Sequence, residues 1–190
     1  PDELHTIQVA ENFYLRKDYQ DSLWQRILRM QVHPEPVYNY SDANMILLQM
    51  AIDSLNRIPM DSFLRREFYD PLGLQHLRFR PRRTLYKDRL IPTGYDRRWR
   101  MQFLRGHVHD EHAALLGGMA GNAGLFTNAG DLAHLMSMIQ NGGTYGGKRY
   151  LNERTVRLFT SQQIGTRGLG FEVVSRSGES RAGNMAPRGT

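Results

Sequence analysis

Between Met45 and Leu55 the chain runs Met-Ile-Leu-Leu-Gln-Met-Ala-Ile-Asp-Ser-Leu, and the apolar residues fall nearly all the way round the helix that this spacing predicts. A helix without a polar face is expected to be buried, so other elements must wrap around it. Ser41-Asp42-Ala43-Asn44 opens it, with Ser41 or Asp42 as the natural N-cap. Its uninterrupted apolar run, Met45 to Leu48, is one turn long, and no run in the chain approaches the roughly 20 residues of a bilayer-spanning helix. With 40% apolar and 23% charged residues over 190 positions, the composition is that of a folded globular chain.

The remaining pattern is mostly helical. Leu4, Ile7, Val9 and Phe13, then Leu23, Trp24, Ile27 and Leu28, recur at three-to-four spacing and predict helix over residues 4 to 30, ended by His33-Pro34-Glu35-Pro36. A short helix is expected from Asp61 to Phe68, stopped at the turn Asp70-Pro71-Leu72-Gly73. Residues 74 to 116 read as irregular and rich in Arg and Pro, long for a connector and therefore expected to form a functional rim. Further on, Thr127 or Asn128 caps a helix striped by Leu132, Leu135, Met136 and Ile139 and stopped by Gly142-Gly143. Glu153 to Phe159 reads as another short helix, Leu169 to Val174 as a strand, and residues 175 to 190 as a mobile tail. The sum is a mixed α+β fold, a mostly helical subdomain with part of an antiparallel sheet.

The net charge of +6 is not spread evenly. Ten basic residues lie between Arg78 and Arg105 against Asp88 and Asp96, so this segment carries +8 and the rest of the chain −2. Interleaved with Tyr86, Tyr95, Trp99 and Phe103, it has the composition to grip phosphates and stack on bases. Charge runs are more often solvated faces whose arginines pair with acidic groups, and on that ground no nucleic-acid partner is expected. The chain has no cysteine, which excludes disulfides, thiolate zinc sites and a cysteine nucleophile but leaves the compartment open.

Two local patterns bear on chemistry. In Tyr40-Ser41-Asp42-Ala43-Asn44 a phenol stands beside the positive end of a helix dipole, which favours its ionised form, although a hydrophobic staple is the commoner use of an aromatic there. His107-Val108-His109-Asp110-Glu111-His112 approximates the His-x-His-x-Asp-His zinc signature of metallo-β-lactamases, with Glu for Asp. The spacing i, i+2, i+5 converges on neither a helix nor a strand, so at least one ring is expected to point away and no metal to bind. Gly118, Gly121 and Gly124 lie three apart and suit a turn rather than a phosphate cradle.

Taken together, Tyr40 to Asn44 leading into Ile46-Leu47-Leu48, then Asp70-Pro71-Leu72-Gly73-Leu74, then Ala120-Gly121-Asn122-Ala123-Gly124-Leu125-Phe126 through Leu132, resemble the penicillin-binding-protein and serine β-lactamase-like hydrolases. The branch most similar is the class C β-lactamase and esterase group, including versions fused behind family 3 glycoside hydrolases in bacterial envelope proteins. The resemblance covers about Tyr38 to Phe171. It implies acyl transfer by Ser-x-x-Lys, Tyr-x-Asn and Lys-Thr-Gly or His-x-Gly motifs. The middle motif falls on Tyr40 and Asp42, making these the expected catalytic residues, with Asp where Asn is usual; Asn44, His109, Asp110 and Asn122 are the expected substrate-binding residues.

No serine here has a lysine three residues on, and neither Lys-Thr-Gly nor His-x-Gly occurs. With Pro1 at the start, the expectation is a partial domain over residues 1 to 174, followed by a tail leading to a missing strand. The implied partners are a small-molecule or peptidoglycan-type substrate and the rest of its own polypeptide, without a cofactor, in the periplasm or outside the cell. The alternative is a non-catalytic domain of the same fold that holds an anionic glycan or partner.

Overall fold

The computed structural model describes residues 1–31 and 39–173. The predicted break at His33 to Pro36, Val174 and the tail from residue 175 lie outside the described residues. Two compact units divide the chain, Pro1–Asp131 and Leu132–Thr190.

The first unit opens with a β-hairpin where helix was expected, β1 (His5–Ala10) antiparallel to β2 (Phe13–Arg16). Thr6, Ile7 and Val9 are β-branched, and Ile7 and Val9 turn inward while Thr6 and Gln8 face water, a period of two that the three-to-four spacing concealed. Asn12, at φ 53°, takes the left-handed conformation that a two-residue turn requires. Helix survives only as α1 (Tyr19–Leu28).

The apolar helix forms as α2 (Asp42–Asn56), capped by Ser41, whose Oγ accepts the Ala43 amide at 3.3 Å, and ended by Arg57 at φ 57°. Its expected burial holds on one side only. Ile46 and Gln49 are buried, whereas Leu47, Leu48 and Leu55 are 40, 56 and 84% exposed, because the described elements pack against the Ala43 and Ile46 face alone. α3 (Met60–Leu64) runs into a π-helical turn at Arg65–Tyr69 and stops at the expected turn, where the Gly73 amide donates to the Asp70 carbonyl and Gly73 has φ 73°.

Residues 74 to 116 are more ordered than expected. β3 (Arg78–Phe79) pairs with β6 (Leu125–Phe126), β4 (Pro92–Asp96) forms a hairpin with β5 (Gln102–Arg105), and α4 (Glu111–Leu115) follows. One core unites these pieces: Val9, Ile27, Ile46, Val108, Ala113, Ala114 and Ala120 are buried, with Ile7, Phe13, Leu23, Trp24 and Trp99 packed on them. It brings the start of α2, α4 and the Gly-rich turn together.

The helix after that turn is α5 (Ala129–Gln140), begun by Asn128, whose Oδ1 accepts the Asp131 amide at 2.8 Å. In the second unit its buried side chain is Met138; Leu132 and Met136 of the predicted stripe face water. Gly142 and Gly143, both at positive φ, stop the helix as expected. A small hairpin of β7 (Thr144–Tyr145) and β8 (Lys148–Arg149) and then α6 (Glu153–Thr160) complete the described elements. The strand expected from Leu169 is not formed over the described residues: Gly170 turns the backbone at φ 82°, the Gly168 amide donates to the Phe171 carbonyl, and one isolated bridge joins Arg167 to Glu172.

Candidate active site

The mouth of α2 carries a short chain of hydrogen bonds. Tyr40, 67% exposed, donates its hydroxyl to Asp42 Oδ1 at 3.1 Å, and the other carboxylate oxygen, Oδ2, lies 3.2 Å from His112 Nδ1 on α4. Asp42 is half-buried and His112 exposed. Tyr40 stands outside the packed core.

Asp110 holds this arrangement from below. Its Oδ1 accepts the Ala113 amide at 2.7 Å, capping α4, and the Asn122 side-chain amide at 3.1 Å, tying α4 to the Gly-rich turn. That turn is in contact with α2 through Gly121, whose amide donates to the buried Gln49 Oε1 at 3.0 Å. A Cβ at position 121 would collide with the Met45 carbonyl, so only glycine permits the approach. Ligand atoms of Asp42, Asp110 and His112 all lie within 4.8 Å of one another, a donor set of two carboxylates and an imidazole in which each residue already has a hydrogen-bond partner.

Of the six residues expected from sequence, the structure gathers Tyr40, Asp42, Asp110 and Asn122. The other two turn elsewhere. The Asn44 side chain folds back to accept the Met45 amide at 2.7 Å, and His109 Nδ1 lies 3.5 Å from Thr93 Oγ1 on β4. His112, considered from sequence only as a zinc ligand, belongs to the cluster; no signal within the sequence links it to Asp42, 70 positions away. His107 Nε2 is buried without a partner among the described residues. His109 and His112 turn to different neighbours and His107 to neither of them, and the three rings form no common donor set among the described residues.

Helices joined to short antiparallel sheets are the layout of the β-lactamase and transpeptidase-like fold. Solved structures of that class superpose on this chain: a D-amino acid amidase from Ochrobactrum anthropi SV3, with a TM-score of 0.55 at 13% identity over 84% of this chain and 41% of its own, and an octameric penicillin-binding protein homologue from Pyrococcus abyssi, with 0.54 at 15% identity over 80% and 32%. The chain belongs to the β-lactamase family, whose model, described as Beta-lactamase, matches residues 4–182. A putative D-alanyl-D-alanine carboxypeptidase of Escherichia coli K12 is 37% identical over 158 residues, 76% of this chain. One from Salmonella gallinarum is 34% identical over 162 residues, 78% of this chain. The chain spans 36% and 38% of the length of these relatives.

Proposed function

We propose that this chain supplies the Tyr–Asp side of a serine hydrolase that cleaves an amide bond of a peptidoglycan-type substrate by acyl transfer. The observation that carries the reading is the Tyr40–Asp42–His112 chain, which leaves the Tyr40 oxygen reachable from solvent while its proton is engaged. The relatives' names, carboxypeptidase and amidase, support the amide class. In the proposed reaction a serine outside these 190 residues attacks the carbonyl carbon. Its proton passes to Tyr40 as the Tyr40 proton moves to Asp42; Tyr40 then protonates the amine nitrogen as the C–N bond breaks and recovers its own proton from Asp42, leaving an acyl-serine that water hydrolyses through the same relay. His112 fixes the rotation of the Asp42 carboxylate. As a carboxylate, Asp42 only accepts hydrogen bonds, so its contact on the substrate is a donor such as a peptide N–H, where an asparagine would also donate. Such a substrate puts the whole protein in the cell envelope.

Intact-mass spectrometry with a penicillin-type or fluorophosphonate probe tests this. The whole gene product is expected to take one adduct on serine, the 190-residue chain none, and Tyr40→Phe in the whole protein to acylate about 10²-fold more slowly or worse. A stoichiometric adduct on this chain alone, or Y40F reacting at the wild-type rate, would overturn the assignment.

A further inference from the structure

We infer that the cleft between β1 and the segment joining β5 to α4 is a binding site for a small oxyanion, a phosphate- or carboxylate-bearing molecule, held by Arg82, Arg83 and His107. The cleft has a volume of about 600 Å³, and Gln8, Tyr14, Arg82, Arg83 and His107 are among the side chains that line it. It is formed entirely within the first unit, and neither Tyr40 nor Asp42 borders it.

Charge and hydrogen-bonding capacity point to the ligand. Arg80 is matched by Asp61 at 2.5 Å, while Arg82 and Lys87 share a single carboxylate, Glu11, at 3.4 and 3.1 Å. Arg83 makes no ion pair with any described residue. Three arginines therefore line one cleft that no carboxylate lines, and a guanidinium presents paired N–H groups suited to an oxyanion. His107 lines the same cleft with its ring half-buried and its Nε2 shut off from solvent, so the ring reports on an anion placed beside the two arginines. Burial, and then the positive charge of Arg82, push the ring's pKa below its ordinary value; Arg100 and Lys87 act in the same direction and Glu11 against them. An anion arriving beside the ring would offset the part of that depression that the cations cause.

The same site accounts for part of the basic segment that the hydrolase reading leaves unused. Arg82 and Arg83 sit on one 3₁₀ turn, begun by Arg80 at φ 48° and Pro81, and both line the cleft.

The test is an NMR titration of the His107 ring in the full chain with sodium phosphate and, separately, citrate, against sodium chloride at matched ionic strength. We expect saturable shifts with either oxyanion, a His107 titration midpoint displaced to higher pH when bound, and binding weakened about tenfold in Arg83→Gln. Arg83 is exposed, so R83Q should keep the wild-type melting temperature. Tighter phosphate binding identifies a phosphoryl ligand and tighter citrate binding a carboxylate. Shifts reproduced by chloride, or R83Q and R82Q titrating like wild type, would overturn the site. Neither result depends on Tyr40 being catalytic, since Y40F should bind the anion unchanged.

Discussion

Asp96 and Arg100 are the most deeply buried charges in the first unit, 2 and 3% exposed. Arg100 Nε donates to Asp96 Oδ2 at 2.5 Å, and the guanidinium also donates to the carbonyls of Val108 at 2.7 Å and His109 at 2.5 Å. Asp96 in turn accepts the amides of Arg98, Trp99 and Arg100 at 2.9, 3.1 and 3.2 Å. One ion pair thereby closes the β4–β5 hairpin and fixes the backbone just before α4, upstream of Asp110 and His112. A buried pair adds little net stability over an apolar replacement, but removing one partner strands the other, so Asp96→Asn should cost about 3–5 kcal/mol in urea unfolding. Burial opposes ionisation of Asp96, yet the Arg100 bond and the three amides outweigh it and hold the carboxyl well below the usual range. Its stabilisation is therefore complete above the unfolded value of about 3.9 and lost as pH falls through the lower folded value. Wild-type stability should drop below about pH 4 by an amount that D96N does not show; equal acid profiles for the two would contradict the assignment.

The approach of α2 to the Gly-rich turn places the site, and Gly121 permits it. Gly121→Ala forces a methyl against the Met45 carbonyl, so it should destabilise by about 1–3 kcal/mol or more and separate Asp42 from His112. On the same helix Ile46→Ala should cost about 2–5 kcal/mol, whereas Leu55→Ala, on the exposed side, should stay within about 0.5 kcal/mol. Thermal melts of the three variants check this ordering, and L55A falling as far as I46A would mean that α2 is covered on both sides. Elements whose signals are local were legible in the sequence: the Ser41 and Asn128 caps, the Gly73 and Gly142-Gly143 stops, and Tyr40 beside Asp42. The hairpin at residues 5 to 16 was not, because Leu4, Ile7 and Phe13 fit a helical spacing, which masks the inward alternation of Ile7 and Val9. Arg100 was hidden among ten similar charges, with only Asp96 four positions earlier to mark it. His112 joins the site through packing of α4 on α2, and periodicity along one chain carries no record of such a pairing.

At the scale of the molecule, the family match runs from residue 4 to 182 across both compact units, and the whole chain accounts for about a third of its curated relatives' length. The reaction class must then be judged by which chemistry the described residues are built to serve, serine acylation or zinc hydrolysis. Zinc requires ligand nitrogens about 2.0–2.1 Å from one point. Instead, His107 lines the Arg82 cleft, His109 turns to Thr93 and His112 to Asp42. Among the described residues the one compact donor set, Asp42 with Asp110 and His112, contains a single imidazole. A cation there would have to take the oxygen that faces His112 and compete for a carboxylate already shared between the Ala113 amide and Asn122. It would thereby break the His112–Asp42 contact on which the proposed proton relay relies. Protein purified without added metal and dialysed should accordingly hold well under one zinc per chain by elemental analysis, and EDTA should leave its melting temperature unchanged. About one zinc per chain surviving dialysis, lost in His112→Ala but not in His109→Ala, would move the site from serine to metal chemistry and leave Tyr40 a bystander.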